Sequence, residues 1–304
     1  MNFQAPALQT IQLLENRQVD VLRIDAIDPL ISGNKWFKLK YNIAKAKELN
    51  AGGIVTFGGQ HSNHLVAAAE ACRREKINMI AIVRAEDSQT ENETLKFIES
   101  TGAHINFVSR AIYKQKHLPE NLKVWSEEYA NYFFIPEGGA NEYGRKGSEE
   151  IARYLQNYDY VFCACGTGTM YAGLIKGLKP TTIVGGINVL KGKNELVHDV
   201  NTILPDDLQI KGNEVLLDET IVHSFITDAF AFKGYACYEP ELVRTVHRVK
   251  SKLHLQLDHI YTSKLFYAVE KMLVEDRLPQ TAKIALVHSG GLQGNAAFER
   301  RYGL

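Results

Sequence analysis

Short, continuously apolar runs alternate with amphipathic segments along most of this 304-residue chain. Residues 53–57, 79–83 and 160–163 are runs of the first kind. Continuously apolar strands that are separated by helices are typical of parallel β-sheets covered on both faces. The alternation therefore predicts an α/β protein with open, twisted, mostly parallel and doubly wound sheets.

The strand–helix units fall into two groups, which predicts two domains with a cleft between them. We expect a small α/β domain over residues 45–150 and a large α/β domain formed by residues 1–44 and 151–304. Between the units of the large domain, residues 198–220 show weak patterning. We expect this stretch to form an exposed excursion.

The charge balance gives no reason to expect an electrostatic partner, because 35 acidic and 35 basic residues leave a net charge of zero. We therefore expect neither nucleic acid nor an anionic membrane as a partner. No run approaches 18 apolar residues, and the N-terminus lacks a basic region followed by an apolar stretch. We expect a cytoplasmic protein whose four cysteines are reduced and mostly buried.

A glycine-rich turn, Gly166-Thr167-Gly168-Thr169, follows the run at residues 160–163 and opens a helix. Backbone N–H groups and the helix dipole converge at such a turn, which makes an anion site suited to phosphate. The third glycine, Gly173, comes too late for the dinucleotide fingerprint, and no Walker lysine follows. A purely structural turn is the alternative, since glycine is common where strands pass into helices.

A second turn, residues 58–64, follows the run at residues 53–57. Capping of the next helix explains a serine or an asparagine, such as Ser62 or Asn63. Capping does not explain two glycines and a series of polar side chains. His61 and His64 have no third ligand at a useful spacing, so we expect no metal site.

Upstream of these turns, Lys35 lies in a turn-like segment with Lys38 three residues further on. The ordinary interpretation is a solvated pair of lysines. If Lys35 is instead desolvated, its lowered pKa frees the amine to form a Schiff base. A third glycine turn, residues 289–291, follows the apolar run at residues 283–287.

Four motifs occur in a fixed order along the chain: Gly33-Asn34-Lys35-x-x-Lys38-Leu39, Gly58-Gly59-x-x-Ser62-Asn63-His64, Gly166-Thr167-Gly168-Thr169-x-x-Ala172-Gly173 and Asp258-x-x-Tyr261-Thr262-x-Lys264. The set resembles the pyridoxal phosphate (PLP)-dependent family of 1-aminocyclopropane-1-carboxylate (ACC) deaminases and D-cysteine desulfhydrases, over about residues 23–295. The resemblance implies PLP fold type II, with two open, twisted α/β domains, pyridoxal 5′-phosphate in the cleft between them, and a homodimer.

The resemblance also implies how the cofactor is held. Lys35 looks like the Schiff-base lysine, and Lys38 looks like a phosphate contact. The turn formed by Gly166, Thr167, Gly168 and Thr169 looks like the phosphate cup.

Four further roles are implied in the same way. Asn63 is similar to the residue that hydrogen-bonds the 3′-oxygen of the cofactor. Ser62 lies where the family holds a polar residue against the substrate, and Tyr261 where a tyrosine faces the substrate. Ser289 matches the position opposite the pyridine nitrogen.

Ser289 bears on which reaction the resemblance implies. ACC deaminases carry a tyrosine–glutamate pair at this position, whereas the desulfhydrase branch has a hydroxyl residue. A hydroxyl brings no charge to stabilise a protonated pyridine nitrogen. The sequence therefore predicts a lyase closer to the desulfhydrase branch, which converts a small amino acid such as D-cysteine to a 2-oxo acid and ammonia by β-elimination.

Three alternatives stay open. The first is ACC deamination on the same fold. The second is a catalytically silent protein that binds PLP or another small molecule. The third is a nucleotide-dependent oxidoreductase, which the late position of Gly173 disfavours.

Overall fold

The computed structural model describes residues 4–85, 92–190, 192–204, 208, 210 and 224–304. Two β-sheets organise these residues, one of six strands and one of four. The strands of the six-stranded sheet, in spatial order, are β1 (Ala7–Leu14), β2 (Arg17–Arg23), β10 (Ile284–Val287), β7 (Tyr160–Cys165), β8 (Ile183–Asn188) and β9 (Ser224–Thr227). The strands of the four-stranded sheet are β5 (His104–Val108), β4 (Asn78–Arg84), β3 (Gly53–Gly59) and β6 (Tyr132–Ile135).

The strand directions confirm the predicted α/β class with mostly parallel sheets. All pairs in the four-stranded sheet are parallel. In the six-stranded sheet β1 runs antiparallel to β2, and the other neighbouring strands are parallel. The sequence argument did not identify the β1–β2 hairpin, whose first strand mixes buried apolar residues such as Ile11 and Leu13 with polar ones.

Helices separate most of the strands: α1 (Asn34–Glu48), α2 (Asn63–Glu75), α3 (Glu93–Ser100), α4 (Arg110–Lys114), α5 (Pro119–Glu128), α6 (Glu142–Glu149), α7 (Thr169–Gly177), α8 (Lys193–Asn201), α9 (Pro240–Leu253), α10 (Thr262–Val274) and α11 (Asn295–Tyr302). Among the described residues, none of these helices combines the length and the apolar character that crossing a membrane requires.

The glycine turns lie at the carboxyl ends of parallel strands, where α/β proteins bind ligands. Residues 58–62 include the last two residues of β3, residues 166–168 follow β7, and residues 288–291 follow β10. Every residue of β7 is buried, as its continuously apolar sequence predicts. The predicted glycine turns therefore lie at strand ends in both sheets.

Lys35 lies in a helix rather than in the turn that its sequence predicts, because α1 begins one residue earlier. The turn ends at Gly33, whose φ of 66° is left-handed. Close packing of α6 then fixes α1 along its length. A Cβ atom on Gly147 would lie 1.8 Å from the backbone oxygen of Phe37, so only glycine permits this approach.

The four-stranded sheet draws all its strands from residues 53–135, and the six-stranded sheet draws its strands from residues 7–23 and 160–287. The predicted domain limits at residues 45 and 150 stay predictions. The exposed excursion expected over residues 198–220 is wrong for the part that is described, because Val200 and Leu204 are buried. Residues 205–207, 209 and 211–220 of that stretch lie outside the described residues.

Candidate functional site

Lys35 is the second residue of α1 and is partly buried. Its Nζ donates a hydrogen bond to Oδ1 of Asn34 at 3.0 Å. Burial lowers the pKa of Lys35 to about 8, although the negative charge of Asp258 acts in the opposite direction. A pKa near 8 leaves about one amine in ten neutral at pH 7, against about three in ten thousand for an ordinary lysine.

Lys38 lies one helical turn further along α1 and is 3% exposed. Its Nζ donates to the backbone oxygen of Gly138 and to Oγ1 of Thr167, both at 3.2 Å. Burial and the positive charge of Lys35 hold the pKa of Lys38 well below its usual range. Among the described residues, no carboxylate lies within ion-pair distance of this ammonium.

The turn between β7 and α7 brings Thr167 to Lys38. Gly168 has a φ of 70°, which turns the chain into the helix, and the hydroxyls of Thr167 and Thr169 are 2.9 Å apart. The first N–H groups of a helix have no partner within it, so the start of α7 offers donors to a ligand. A side chain at Gly166 would meet the Tyr261 ring, since its Cβ would lie 3.2 Å from Cε1.

A further glycine turn, which the sequence argument missed, contacts both Lys38 and Thr167. It follows β6 and contains Gly138 and Gly139, with φ of 68° and 71°. A Cβ on Gly138 would lie 2.9 Å from the Thr167 methyl group, and a Cβ on Gly139 would lie 3.2 Å from Cβ of Lys38. The sequence did contain a signal for this turn. Two glycines come soon after the apolar run at residues 132–135, just as two glycines follow the run at residues 53–57.

The amino end of α2 holds the predicted residues Ser62 and Asn63. Ser62 is the N-cap, and its hydroxyl accepts a hydrogen bond from the amide of Leu65 at 3.3 Å. Asn63 reaches towards the turn after β10, where its Nδ2 lies 3.5 Å from the backbone oxygen of Gly291. Asn63 therefore contacts the turn after β10, whereas the hydrogen bond of Ser62 stays within the first turn of α2.

His64 follows on the same helix and is buried with Nε2 2.8 Å from Oγ1 of Thr56. The Thr56 hydroxyl donates to the backbone oxygen of Ile135, so it must accept from the histidine. Nδ1 is then a bare acceptor with no described partner. Burial, together with Lys35 and Lys38, holds the pKa of His64 well below its usual range, and the ring is neutral.

Tyr261 precedes α10 and is fixed by the buried carboxylate of Asp258. Oδ1 of Asp258 accepts the amide of Tyr261 at 2.6 Å, and Oδ2 accepts the amide of Thr262 at 2.8 Å. Burial raises the pKa of Tyr261 well above its usual range, and Tyr235 and Asp258 act in the same direction. The Tyr261 hydroxyl therefore keeps its proton at neutral pH.

Tyr235 stands beside Tyr261, and sequence reasoning missed it. The two rings are 6.3 Å apart and meet edge to face at 69°. Tyr235 is 49% exposed, whereas Tyr261 is partly buried. No local pattern around Tyr235 could have revealed this pairing.

Ser289 follows β10 and lies against the start of α1. Its backbone oxygen accepts the amide of Asn34 at 3.2 Å. A Cβ on Gly33 would lie only 1.9 Å from that oxygen. The Ser289 hydroxyl makes no hydrogen bond to another described residue, so it is available to a ligand.

The site fits a phosphorylated cofactor. Two lysine amines lie one helical turn apart, and burial lowers the pKa of both. The α7 turn adds hydroxyl and N–H donors. An anion bound here would favour the charged form of both amines. Small residues, Gly138 and Gly166, keep the space beside Thr167 and Tyr261 clear. Lys38 and Thr167 could hold a phosphate group, and Lys35 could bind a carbonyl carbon.

Comparison with known proteins agrees with this geometry. The family model described as pyridoxal-phosphate dependent enzyme matches residues 20–290. A putative ACC deaminase of Pyrococcus furiosus is 27% identical over 298 residues, covering 94% of this chain and 88% of the relative. The bifunctional D-cysteine desulfhydrase/ACC deaminase of Arabidopsis thaliana is 28% identical, covering 87% of this chain and 70% of the relative.

A D-cysteine desulfhydrase of Salmonella newport is 22% identical, covering 90% of this chain and 87% of the relative. A solved structure of an ACC deaminase homologue has a TM-score of 0.76 and 21% identity, covering 99% of this chain and 94% of that chain. The structural likeness concerns the fold alone. Together these matches confirm the resemblance inferred from the four motifs and the predicted fold type.

Proposed function

The chain belongs to the pyridoxal-phosphate dependent enzymes, and we propose that it is a lyase that converts a small amino acid to a 2-oxo acid and ammonia. Its cofactor is pyridoxal 5′-phosphate. The observation that carries the proposal is the partly buried amine of Lys35, whose pKa is lowered to about 8, one turn from the buried ammonium of Lys38. A covalent attachment point and a phosphate contact are thereby adjacent.

In this proposal each predicted residue has a defined part. Lys35 supplies the amine that attaches the cofactor. Lys38 and the turn formed by Gly166, Thr167, Gly168 and Thr169 hold the phosphate. Asn63 and Ser289 lie against the ring, and Ser62 and Tyr261 face the amino acid.

When bound, the cofactor draws electrons from the α-carbon of an amino acid attached to it. The amine of the amino acid takes the place of Lys35, which is thereby released. Lys35 then takes the α-proton as a general base, because its low pKa allows the neutral amine at pH 7. The electron pair of the broken C–H bond forms a Cα–Cβ double bond as the β-substituent leaves with its own pair. Tyr261 is protonated and gives that leaving group a proton. Water then converts the unsaturated product to a 2-oxo acid and ammonia.

We infer that the preferred reaction is β-elimination from D-cysteine or a similar D-amino acid. Ser289 supports this choice, because a hydroxyl at the end of β10 brings no charge to hold a ring nitrogen protonated. The weaker electron withdrawal that results suits the loss of a thiolate, which is a good leaving group. Relatives named for both activities are compatible with this choice.

ACC deamination is the second candidate. It is favoured by the names of relatives that are 27–28% identical, whereas the relative named for D-cysteine desulfhydrase alone is 22% identical. A silent PLP-binding protein is the alternative without catalysis, and the retained Lys35 and Tyr261 speak against it.

One preparation of protein tests the proposal. After addition of PLP we expect absorbance in the visible or near-ultraviolet range, and borohydride should fix the cofactor to the peptide that contains Lys35. D- and L-cysteine, D- and L-serine and ACC are then compared by 2-oxo acid release. Lys35→Ala should abolish absorbance and turnover, and Lys47→Ala, an exposed change on the same helix, should preserve both. A colourless wild type that resembles Lys35→Ala would sink the proposal.

The oligomeric state is proposed from the same family resemblance. We propose a homodimer, which light scattering of the purified protein would detect as twice the mass of the chain. A cytoplasmic location stays a prediction.

A further inference from the structure

Lys264 is a buried lysine whose three N–H donors are all used. It lies in the first turn of α10 and is 1% exposed. Its Nζ donates to the backbone oxygens of Val189, Ala231 and Gly234 at 2.7, 2.8 and 2.7 Å. Burial lowers the pKa of Lys264 to about 8. An apolar side chain would fill the same space without this cost, so the cation serves the carbonyl groups that it contacts.

Two of these carbonyl groups belong to an irregular segment, residues 231–236. Within it Phe232, Gly234 and Ala236 all have left-handed φ, at 53°, 104° and 50°. Non-glycine residues adopt this conformation only when their surroundings enforce it. The ammonium of Lys264 is one such constraint, and a hydrogen bond from the Tyr302 hydroxyl to the backbone oxygen of Ala236 at 3.0 Å is another.

The constrained segment carries Tyr235, the ring that meets Tyr261 edge to face. Lys264 lies three residues after Tyr261, so both side chains leave the same helical turn. The backbone oxygen of Gly234, immediately before Tyr235, is bound by that lysine. The ammonium of Lys264 thus connects the two tyrosines. It is linked to Tyr261 through the first turn of α10 and to Tyr235 through residues 231–236.

We propose that Lys264 is a positioning residue, which fixes the carbonyl groups of Ala231 and Gly234 and thereby holds Tyr235 against Tyr261 on the substrate side of the site. The proposal depends on the proposed function in one respect, namely that Tyr261 faces the substrate. The strained segment and its anchor are properties of the chain itself, so they can be tested without turnover.

The first test measures hydrogen exchange of the backbone amides in residues 231–236. Lys264→Met removes the cation, so the carbonyl groups of Val189 and Gly234 lose their described donor and that of Ala231 keeps only the amide of Gly234. We expect exchange in the segment to rise roughly tenfold or more. Lys271→Met, an exposed change on the same helix, is the control and should leave exchange unchanged. Unchanged exchange in Lys264→Met overturns the positioning role.

The second test measures coupling in turnover. Tyr235→Ala and Lys264→Met should each lower kcat/KM by about the same factor, and the double variant should lose no more than either single variant. The absorbance of bound PLP should be unchanged in all three. Losses that multiply, or a Tyr235→Ala enzyme as active as wild type, would overturn the link between Lys264 and the tyrosine pair.

A third variant tests the same link independently, in case Lys264→Met does not fold. Gly234→Ala strains the same segment without removing Lys264, since alanine tolerates a φ of 104° poorly. It should raise exchange in residues 231–236 and fail to add to Tyr235→Ala. If wild type turns over no amino acid, the proposed function has failed, and the exchange measurements alone then decide the positioning role.

Discussion

The amide of Asn34 donates a hydrogen bond to the backbone oxygen of Ser289 at 3.2 Å, and this contact joins the start of α1 to the end of β10. The two residues are far apart in the chain, yet both belong to the predicted site. Asn34 directly precedes Lys35, and Ser289 is predicted to face the cofactor ring. The relative position of amine and ring partner is therefore set by backbone atoms.

Gly33→Ala should break this arrangement. The new methyl group would lie 1.9 Å from the backbone oxygen of Ser289, and the left-handed φ of 66° disfavours alanine in addition. We expect the free energy of unfolding, measured in urea, to fall by about 2–4 kcal/mol. Gly102→Ala is the matched control, because it has a left-handed φ of 87° but nothing within 4 Å of the new methyl group. Equal losses in the two variants would show that the contact with Ser289 is unimportant.

Lys35 should react with acetic anhydride at lower pH than other lysines. Burial disfavours its charged form, so the neutral amine predominates above pH 8 rather than above the usual 10.5. In cofactor-free protein we expect the labelling rate, followed by mass spectrometry, to rise up to about pH 8 and then level off. A lysine in a short unstructured peptide, labelled in the same solution, should continue to gain reactivity towards pH 10.5. A common midpoint for Lys35 and the peptide lysine would contradict the lowered pKa.

Lys38→Met should weaken binding of PLP roughly 10- to 100-fold, which is the effect of losing a charged hydrogen bond. Pyridoxal, which has no phosphate, should bind to variant and wild type alike. Because the ammonium is buried without a described carboxylate partner, its removal should not destabilise the cofactor-free protein. Lys40→Met, on the same helix but paired with Glu150, is the control for both measurements. An equal loss of affinity for pyridoxal would rule out a phosphate contact.

Ser289→Asp should shift the substrate preference towards ACC. A carboxylate at this position can keep the ring nitrogen protonated, as a hydroxyl cannot. We expect the ratio of 2-oxo acid formed from ACC to that formed from D-cysteine to rise by about tenfold, which corresponds to about 1.4 kcal/mol. Ser289→Thr retains the hydroxyl and should leave the ratio near its wild-type value. A ratio that responds equally to both substitutions would falsify the assigned role of Ser289.

Much of the fold was predictable because its signals are local. A continuously apolar run such as β7 reports burial on both faces, and the glycines that follow it report a tight turn. The pair Lys35 and Lys38 has the spacing of one helical turn, although the glycine before it made the segment resemble a loop. The β1–β2 hairpin was missed because polar residues such as Thr10 and Gln12 interrupt the apolar residues of β1.

The remainder of the site depends on contacts between distant parts of the chain. Lys38 meets Gly138 across 100 residues and Thr167 across 129 residues. Tyr235 meets Tyr261 from a segment with left-handed residues, in which the backbone oxygen of Gly234 is bound by Lys264. Composition and periodicity do not record such contacts, since they arise when separate elements pack together.

The contacts of Lys38 have a thermodynamic consequence. Its ammonium, carried by α1, contacts the turn after β6 of the four-stranded sheet and the turn after β7 of the six-stranded sheet. Burial lowers the pKa of Lys38, so an anion that binds there favours the charged amine at the junction of the two sheets. Anion binding and cohesion of the sheets are therefore linked equilibria, and inorganic phosphate alone should raise the melting temperature of the cofactor-free protein.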